Sequence, residues 1–289
     1  MPTTDVSAPV ATLIGGRGFV GAALANHLRS QGWTCHLPEK GALWPVHGQR
    51  LGHVFYCAGL TGDYLARAAD TVEAHVSLLA RVLQSEQWDS LVYLSSTRLY
   101  DGLPAGHLAG EADLLPVAPQ VPRHLFDLTK LAGESLCHAL GQGRARVARL
   151  ASVYDSPADP NGFLPALLRQ LAQIPRGGVL AVDSNPQSER DYVHLPDVLR
   201  ALVDIALRGT QTVYNVASGH NVSNAQLAAW VAQRTGRQLQ FRAGSPGKGS
   251  AVVDICRLRE DFGWQPAGLE AVIGPWLNNI GKDDEDSQP

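Results

Sequence analysis

Gly15, Gly18 and Gly21 stand at the spacing of a turn that can hold a diphosphate. They lie within Ile14-Gly15-Gly16-Arg17-Gly18-Phe19-Val20-Gly21. Gly15 permits the tight turn, Gly18 lets the backbone approach a pyrophosphate, and Gly21 lets a following helix lie close on a sheet. Free N–H groups and a partial positive charge at the helix N-terminus then favour the phosphates. The plain alternative is a glycine-rich turn with no ligand. Glu39 follows 18 positions after Gly21, where a carboxylate can meet adenosine ribose hydroxyls. Arg17 has the opposite chemistry, a guanidinium suited to the extra phosphate of NADP. NAD and NADP therefore both stay open.

The flanking elements decide for the ligand-binding turn. Val10 to Ile14 is an apolar run that reads as a buried strand, and Val20, Ala23, Leu24, His27 and Leu28 recur at helical spacing. A second strand is predicted over Trp33–Leu37 and a third over Leu51–Cys57, ending in Ala58-Gly59. A long helix is expected over 66–86, then a strand over 91–97 that ends in hydroxyls. His107 to Pro122 reads as loop, His124 to Leu140 as helix, and Ala145 to Leu150 as strand. Strands alternating with helices predict a parallel sheet covered on both faces, with ligands beyond the carboxyl ends of the strands. Gly59, Ser96 and Ser152 all fall at such ends. Further on, helices are expected over 163–174, 196–207 and 223–235, with Ser223 capping before Gln226. Asp183 to Arg190 reads as a polar loop and Val213 to Val216 as a strand.

Composition excludes several classes. A net charge of −3 with no long basic run argues against nucleic acid or an anionic membrane as partner. No apolar run is long enough to span a bilayer, and Met1 to Pro9 lacks a signal-peptide layout. Four widely spaced cysteines without a CxxC fit a cytoplasmic protein with reduced thiols. The ten histidines form no metal-binding cluster. Gly247-Lys248-Gly249-Ser250 misses the phosphate-loop pattern and reads as a flexible loop.

The ordered motifs Gly15 to Gly21, Cys57-Ala58-Gly59, Leu91 to Ser96 leading to Leu99-Tyr100, Thr129 to Glu134, Arg149 to Tyr154, Arg190 to His194, Tyr214-Asn215-Val216 and Phe262 to Pro266 carry a likeness across nearly the whole chain. The chain resembles the extended short-chain dehydrogenase/reductase family, the NAD-dependent epimerase/dehydratase group that acts largely on nucleotide sugars. That resemblance implies a Rossmann-type doubly wound parallel sheet with a smaller C-terminal substrate lobe. It implies a cofactor, NAD or NADP, held by Gly15, Arg17, Gly18, Phe19, Val20, Gly21, Glu39, Ala58, Gly59 and Lys130.

In that family a Ser or Thr, a Tyr and a Lys act together. The tyrosine moves a proton on the sugar hydroxyl, the lysine holds the nicotinamide ribose and lowers the tyrosine pKa, and the hydroxyl residue orients the substrate. Ser96 matches the hydroxyl position and Lys130 the lysine. Phe126 stands where the tyrosine belongs, four residues before Lys130. Phenylalanine keeps the ring and loses the acid–base group, a loss of roughly 10²–10⁴ in rate. Asp127, His124 and Tyr100 are candidate stand-ins, although Asp127 and His124 should face away from the direction of Phe126. Other departures are His75 and Ser152, each where members often carry Asn. Only eleven residues separate Glu39 from Leu51, too few for a crossover helix and strand, so the edge β-α unit after the second strand is shortened. Trp44 in that loop can cover the gap or simply anchor it. On the substrate side, Ser152 lies near the expected diphosphate and Arg190 suits it bidentately, unless Arg190 pairs with Glu189 or Asp191.

The expected organisation is a dinucleotide-binding domain over 1–155 with returning elements at about 188–217, a substrate lobe from 156–187 and 218–281, and a disordered tail over 282–289. Two functions stay open. One is a nucleotide-sugar epimerase, dehydratase or reductase, favoured by intact Ser96 and Lys130. The other is a non-catalytic NAD(P)-binding, regulatory or assembly protein, favoured by Phe126. A hydrolase using Ser96 lacks a paired base and an elbow motif. The resemblance also implies a homodimer through the two long helices, with Val72, Val76, Leu79, Leu83, Leu128, Leu131, Leu136 and Leu140 as apolar positions.

Overall fold

The computed structural model describes residues 8–41, 50–85, 87–160, 162–242 and 249–282. In chain order its elements are β1 (Val10–Ile14), α1 (Phe19–Ser30), β2 (Thr34–His36), β3 (Gly52–Tyr56), α2 (Ala68–Val72), a π-helical turn (Glu73–Ser77), α3 (Leu78–Gln84), β4 (Trp88–Ser96), a 3-10 turn (Thr97–Tyr100), β5 (Leu108–Ala109), α4 (His124–Leu140), β6 (Ala145–Leu150) and β7 (Ser152–Tyr154). They continue with α5 (Phe163–Ala172), β8 (Val179–Val182), β9 (Glu189–His194), α6 (Leu195–Arg208), β10 (Val213–Val216), β11 (Asn221–Ser223), α7 (Asn224–Thr235), β12 (Gln238–Phe241), β13 (Val252–Val253), α8 (Cys256–Phe262) and α9 (Leu269–Lys282). Two compact units result. The first is built from the described residues up to Leu99, with Pro116–Arg149 and Leu199–Tyr214. The second is built from Tyr100–Leu115, Leu150–Val198 and the described residues from Asn215 on.

The central sheet has the order β10-β6-β4-β3-β1-β2. Strand β1 pairs in parallel with β2 on one side and β3 on the other, and β3 pairs in parallel with β4. The chain thus reverses its direction of winding between β1 and β3, the switch point where ligands of such sheets bind. Strands of this kind are covered on both faces and read as continuous apolar runs. Only Val10 of β1 escapes full burial, and the one polar residue, Thr12, satisfies its hydroxyl on the Leu51 carbonyl at 2.7 Å. The core of the first unit gathers Val54, Tyr56, Leu79, Leu83, Leu91 and Tyr93 among others. Among the described residues β2 ends the sheet, as a shortened edge unit requires. Trp44 lies outside the described residues, as do 283–289 of the expected tail and Gly247-Lys248.

In the second unit β9 pairs antiparallel with β11 and parallel with β7, β8 pairs with β12, and β5 pairs with β13. Its core gathers Tyr154, Leu164, Leu168, Leu227, Ile273 and Leu277 among others. Helix α7 opens on the capping box read from the sequence: Ser223 Oγ accepts from Gln226 N–H, and the Gln226 side chain accepts from Ser223 N–H.

Three expectations need correction. The loop over 107–122 contains β5, whose two residues are strand only because Val252 and Val253 pair with them. The loop over 183–190 yields its last two residues, Glu189 and Arg190, to β9, paired with Ser223 and Val222 of β11. In both cases the partner is far away in sequence, so local composition carries no sign of it. The long helix runs from 68 to 84 and contains the π-helical turn, an extra residue that hydrophobic period does not reveal. Of the apolar positions on the two long helices, Leu79 and Leu83 are core and Leu136 and Leu140 pack against it, while Val72 is 40% exposed.

Candidate functional site

The glycine turn is a cradle with one side deliberately open. Gly15 has φ +80, and a Cβ there would lie 2.6 Å from the Ala58 nitrogen, so only glycine lets the end of β1 meet the end of β3. A Cβ at Gly21 would lie 2.5 Å from the Gly15 carbonyl oxygen. Gly18 differs. Its backbone is extended, and its Cβ would meet only the Gly15 oxygen at 3.3 Å. Among the described residues only that oxygen crowds such a Cβ, tightly enough that the turn must give by a few tenths of an ångström, and what a side chain at 18 would fill is the space before α1. Gly18 is the N-cap of α1, no side chain caps that end, and the first turn has no acidic residue. The amides of the first turn, including Phe19 and Val20, are therefore available to an anion, with the helix dipole behind them. These residues fit a dinucleotide diphosphate.

Arg17 and Glu39, read as competing signals, are joined to each other by an ion pair of 2.8 Å. Both are largely exposed, so the pair is worth about 0–1 kcal/mol and opens easily to a ligand.

At the far end of the cradle stand Gly59, His75, Ser96, Phe126 and Lys130. Lys130 is 5% exposed, and its Nζ donates to the Leu94 carbonyl at 2.8 Å near the carboxyl end of β4. Burial pulls its pKa down to about 7, against the pull of Glu134 and Cys57 in the other direction. Glu134 does not pair with it. Instead Glu134 accepts from Ser95 Oγ at 2.5 Å and from Arg149 Nε and Nη2 at 3.0 and 2.7 Å.

His75 comes from the π-helical turn. Its Nε2 accepts from the Leu60 N–H at 3.2 Å, so Nδ1 carries the proton and donates to Thr129 Oγ1 at 2.8 Å. Thr129 in turn donates to the Phe126 carbonyl at 3.0 Å. Burial first, then the charge of Lys130, hold the imidazole pKa down to about 3, so His75 is neutral. A Cβ at Gly59 would fall 2.9 Å from His75 Nε2 and 3.3 Å from Lys130 Nζ, so a side chain at 59 would press on both. Ser96 is half-buried. Its oxygen accepts from the Arg98 N–H at 3.2 Å, which leaves the hydroxyl proton to be donated.

Phe126 is 1% exposed and enclosed by polar groups and rings. Tyr64 and His75 lie 5.5 and 5.6 Å from its centroid, the Arg98 guanidinium 4.4 Å and Lys130 Nζ 5.9 Å. Arg98 also lies 5.4 Å over Tyr64. Sequence reasoning passed over Arg98 and Tyr64. The one available signal was a cation two residues after Ser96 in a segment already singled out.

The candidate stand-ins fare differently. The Tyr100 hydroxyl donates its proton to Asn215 Oδ1 at 2.7 Å, buried within the second unit. His124 Nδ1 accepts from the Ala118 N–H at 2.8 Å. Asp127 is 4% exposed, and its Oδ1 has no hydrogen-bond partner among the described residues. Burial raises its pKa, while Arg98, His124 and Arg123 act to lower it.

Ser152 and Arg190 meet in the second unit. With Tyr154, Phe163, Pro165 and Tyr192 they line a cavity of about 210 Å³. That is below the roughly 300–1,000 Å³ of a whole-ligand pocket, so it takes part of a ligand. Neither neighbouring acid pairs with Arg190. Asp191 instead accepts from the amides of Ser218, Gly219 and His220, and Glu189 accepts from that of Ser250. The Arg190 guanidinium lies 4.8 Å over the Phe163 ring, and the Tyr154 hydroxyl is buried with no hydrogen-bond partner among the described residues. No three His, Cys, Asp or Glu side chains gather to hold a metal ion among the described residues, and no helix there is long and apolar enough to cross a membrane.

A parallel sheet with a glycine turn at its switch point and a buried lysine beside it defines a Rossmann-type dinucleotide-binding protein. The chain belongs to the NAD dependent epimerase/dehydratase family, whose model matches residues 11–217. A dTDP-4-dehydro-6-deoxy-D-allose reductase of Streptomyces sp is 28% identical over 240 residues, covering 75% of this chain and 72% of that protein. A probable GDP-L-fucose synthase 1 of Oryza sativa subsp. japonica is 24% identical, covering 87% of this chain and 85% of that protein. Among solved structures, MoeE5 in complex with UDP-glucose and NAD matches with a TM-score of 0.76 at 23% identity, over 96% of this chain and 100% of that one. This last likeness speaks to the fold.

Proposed function

We propose that the protein is an NAD(P)-dependent enzyme of nucleotide-sugar chemistry, an epimerase, dehydratase or reductase. The observation that carries this reading is the open glycine cradle in one unit with Ser96 and Lys130. Family membership and relatives named for dTDP- and GDP-sugar chemistry support it. In this reading the first-turn amides of α1 hold the diphosphate of the cofactor, Glu39 and Arg17 meet its adenosine ribose, and Lys130 holds the nicotinamide ribose. When bound, the nicotinamide supplies or accepts a hydride. Ser96 donates to the reacting oxygen of the sugar and orients it. Arg190 and Ser152 bind the sugar-nucleotide diphosphate, a role supported by a guanidinium with no carboxylate partner among the described residues, beside a cavity.

Phe126 favours a second reading. A ring with no ionisable group in the tyrosine position fits a protein that binds the cofactor for regulation or assembly and performs no redox step. In either reading Val72, Val76, Leu128 and Leu131 are the helix positions available to a homodimer. Four free cysteines fit the cytoplasm. Mass spectrometry of ligand carried through native purification tests the proposal. A nicotinamide dinucleotide with a nucleotide sugar is the expected result, and a ligand of another class would sink it.

A further inference from the structure

We propose that Lys130 itself exchanges a proton with the reacting oxygen of the substrate, the task the family gives to a tyrosine that this chain lacks. The proposal rests on the enzymatic reading above. It starts from what Nζ touches. An ammonium has three donors, and among the described residues one is used, on the Leu94 carbonyl at 2.8 Å. The Tyr93 ring lies 4.9 Å and the Phe126 ring 5.9 Å from it, and neither can take a proton from it at neutral pH. Among the described residues no carboxylate pairs with it, because Ser95 and Arg149 hold Glu134. Gly59 puts no side chain against Nζ; a Cβ there would sit 3.3 Å away.

Each packed element presents a known group. The end of β3 presents Cys57, the π-helical turn presents neutral His75, β4 presents Tyr93, α4 presents Glu134, and Arg98 lies across the Phe126 ring. A cation buried among these with no ion pair from the described residues loses its proton readily. This agrees with a pKa brought down to about 7, chiefly by burial, where a lysine serves as acid or base at neutral pH.

The step balances. As hydride from a reduced nicotinamide reaches the carbonyl carbon, an Nζ–H bond breaks and an O–H bond forms on the substrate oxygen. The electron pair of the broken bond stays on Nζ as a neutral amine, and the product is an alcohol. Oxidation of a hydroxyl runs the same transfer backwards. The rival donor is Asp127, whose buried Oδ1 also lacks a partner among the described residues. Tyr100 already donates its proton to Asn215.

The test is an NMR titration of lysine-labelled protein, simplified by a chain with four lysines, Lys40, Lys130, Lys248 and Lys282. Lys130→Arg assigns the signal. It is run on the free protein and with NADH bound, beside pH profiles of hydride exchange with UDP-, GDP- and dTDP-hexoses. The proposal expects one lysine to titrate near 7, and a limb of the turnover profile at the same pH. Lys130→Arg keeps the charge and cannot release a proton, so it should bind NADH more weakly than the parent, and at saturating NADH lose that limb and roughly 10²–10⁴ in turnover. A Lys130 that titrates at the ordinary lysine value while NADH binds overturns this proposal alone. So does a limb that persists in Lys130→Arg or vanishes in Asp127→Asn. Hydride exchange absent at every pH with all three sugars, while NADH binds, overturns the enzymatic reading as well. NADH that does not bind overturns the enzymatic reading, and this proposal with it.

Discussion

Phe126→Tyr restores one oxygen to a ring whose surroundings are known. The ring is 1% exposed, with Arg98 at 4.4 Å and Lys130 at 5.9 Å from its centroid. Arg98, and Lys130 while it holds its proton, favour the ionised phenol, and burial of the ring opposes it. A hydroxyl with no partner would cost about 1–3 kcal/mol of stability. For a chain of this size that is a fall of roughly 2–4 °C in Tm per kcal/mol. Restored acid–base catalysis raises turnover by roughly 10²–10⁴, or about 2.7–5.4 kcal/mol at 1.36 kcal/mol per decade. Since Lys130 already moves the proton in our account, the gain should lie near the lower end. Binding of NADH and sugar nucleotide should change little, because proton transfer acts mainly in the transition state. The assay is steady-state hydride exchange with calorimetric binding and a melting curve on the same preparation. A folded variant that binds both ligands and gains nothing would refute the claim that Phe126 occupies the proton-transfer position.

Gly18→Val should abolish dinucleotide binding with little loss of Tm, since its Cβ meets only one atom at 3.3 Å, whereas Gly21→Ala should lose about 1–3 kcal/mol because its Cβ meets backbone at 2.5 Å; paired melting and binding curves check this. Glu39→Ala frees Arg17 from its 2.8 Å partner and should shift preference toward NADPH, read as the ratio of the two dissociation constants. Lys130 adds a pH dependence to stability. Its folded pKa, about 7, lies below the ordinary 10.5, so the unfolded chain binds more protons between these values and stability rises with pH across that window. Below pH 7 both states carry the proton and the full cost of burying it remains. Lys130→Met should therefore exceed the parent in stability by a few kcal/mol at pH 6, with the difference closing toward pH 10 in denaturant melts.

The sheet and its glycine turn were legible because β1, α1 and α4 carry their signals locally: an apolar run, helical spacing, glycines between. The Ser223 capping box was legible for the same reason. Strand β5 was not, because Leu108 and Ala109 take their conformation from Val252 and Val253. The π-helical turn that places His75 shifts the helix by one residue, which the apolar spacing of 66–86 does not betray. Arg17 and Glu39 were each recognisable, but their pairing joins residues 22 positions apart. The enclosure of Phe126 by Arg98 and Tyr64 is a matter of ring contacts between three separate segments, and no spacing rule encodes it.

The central claim is that this chain binds a nicotinamide dinucleotide in the glycine cradle, and calorimetric titration with NADH and NADPH tests it most directly. One site per chain, lost in Gly18→Val while the melting curve holds, is the predicted result. No heat and no fluorescence change from either nucleotide with the folded protein would contradict it, as would binding that Gly18→Val leaves intact.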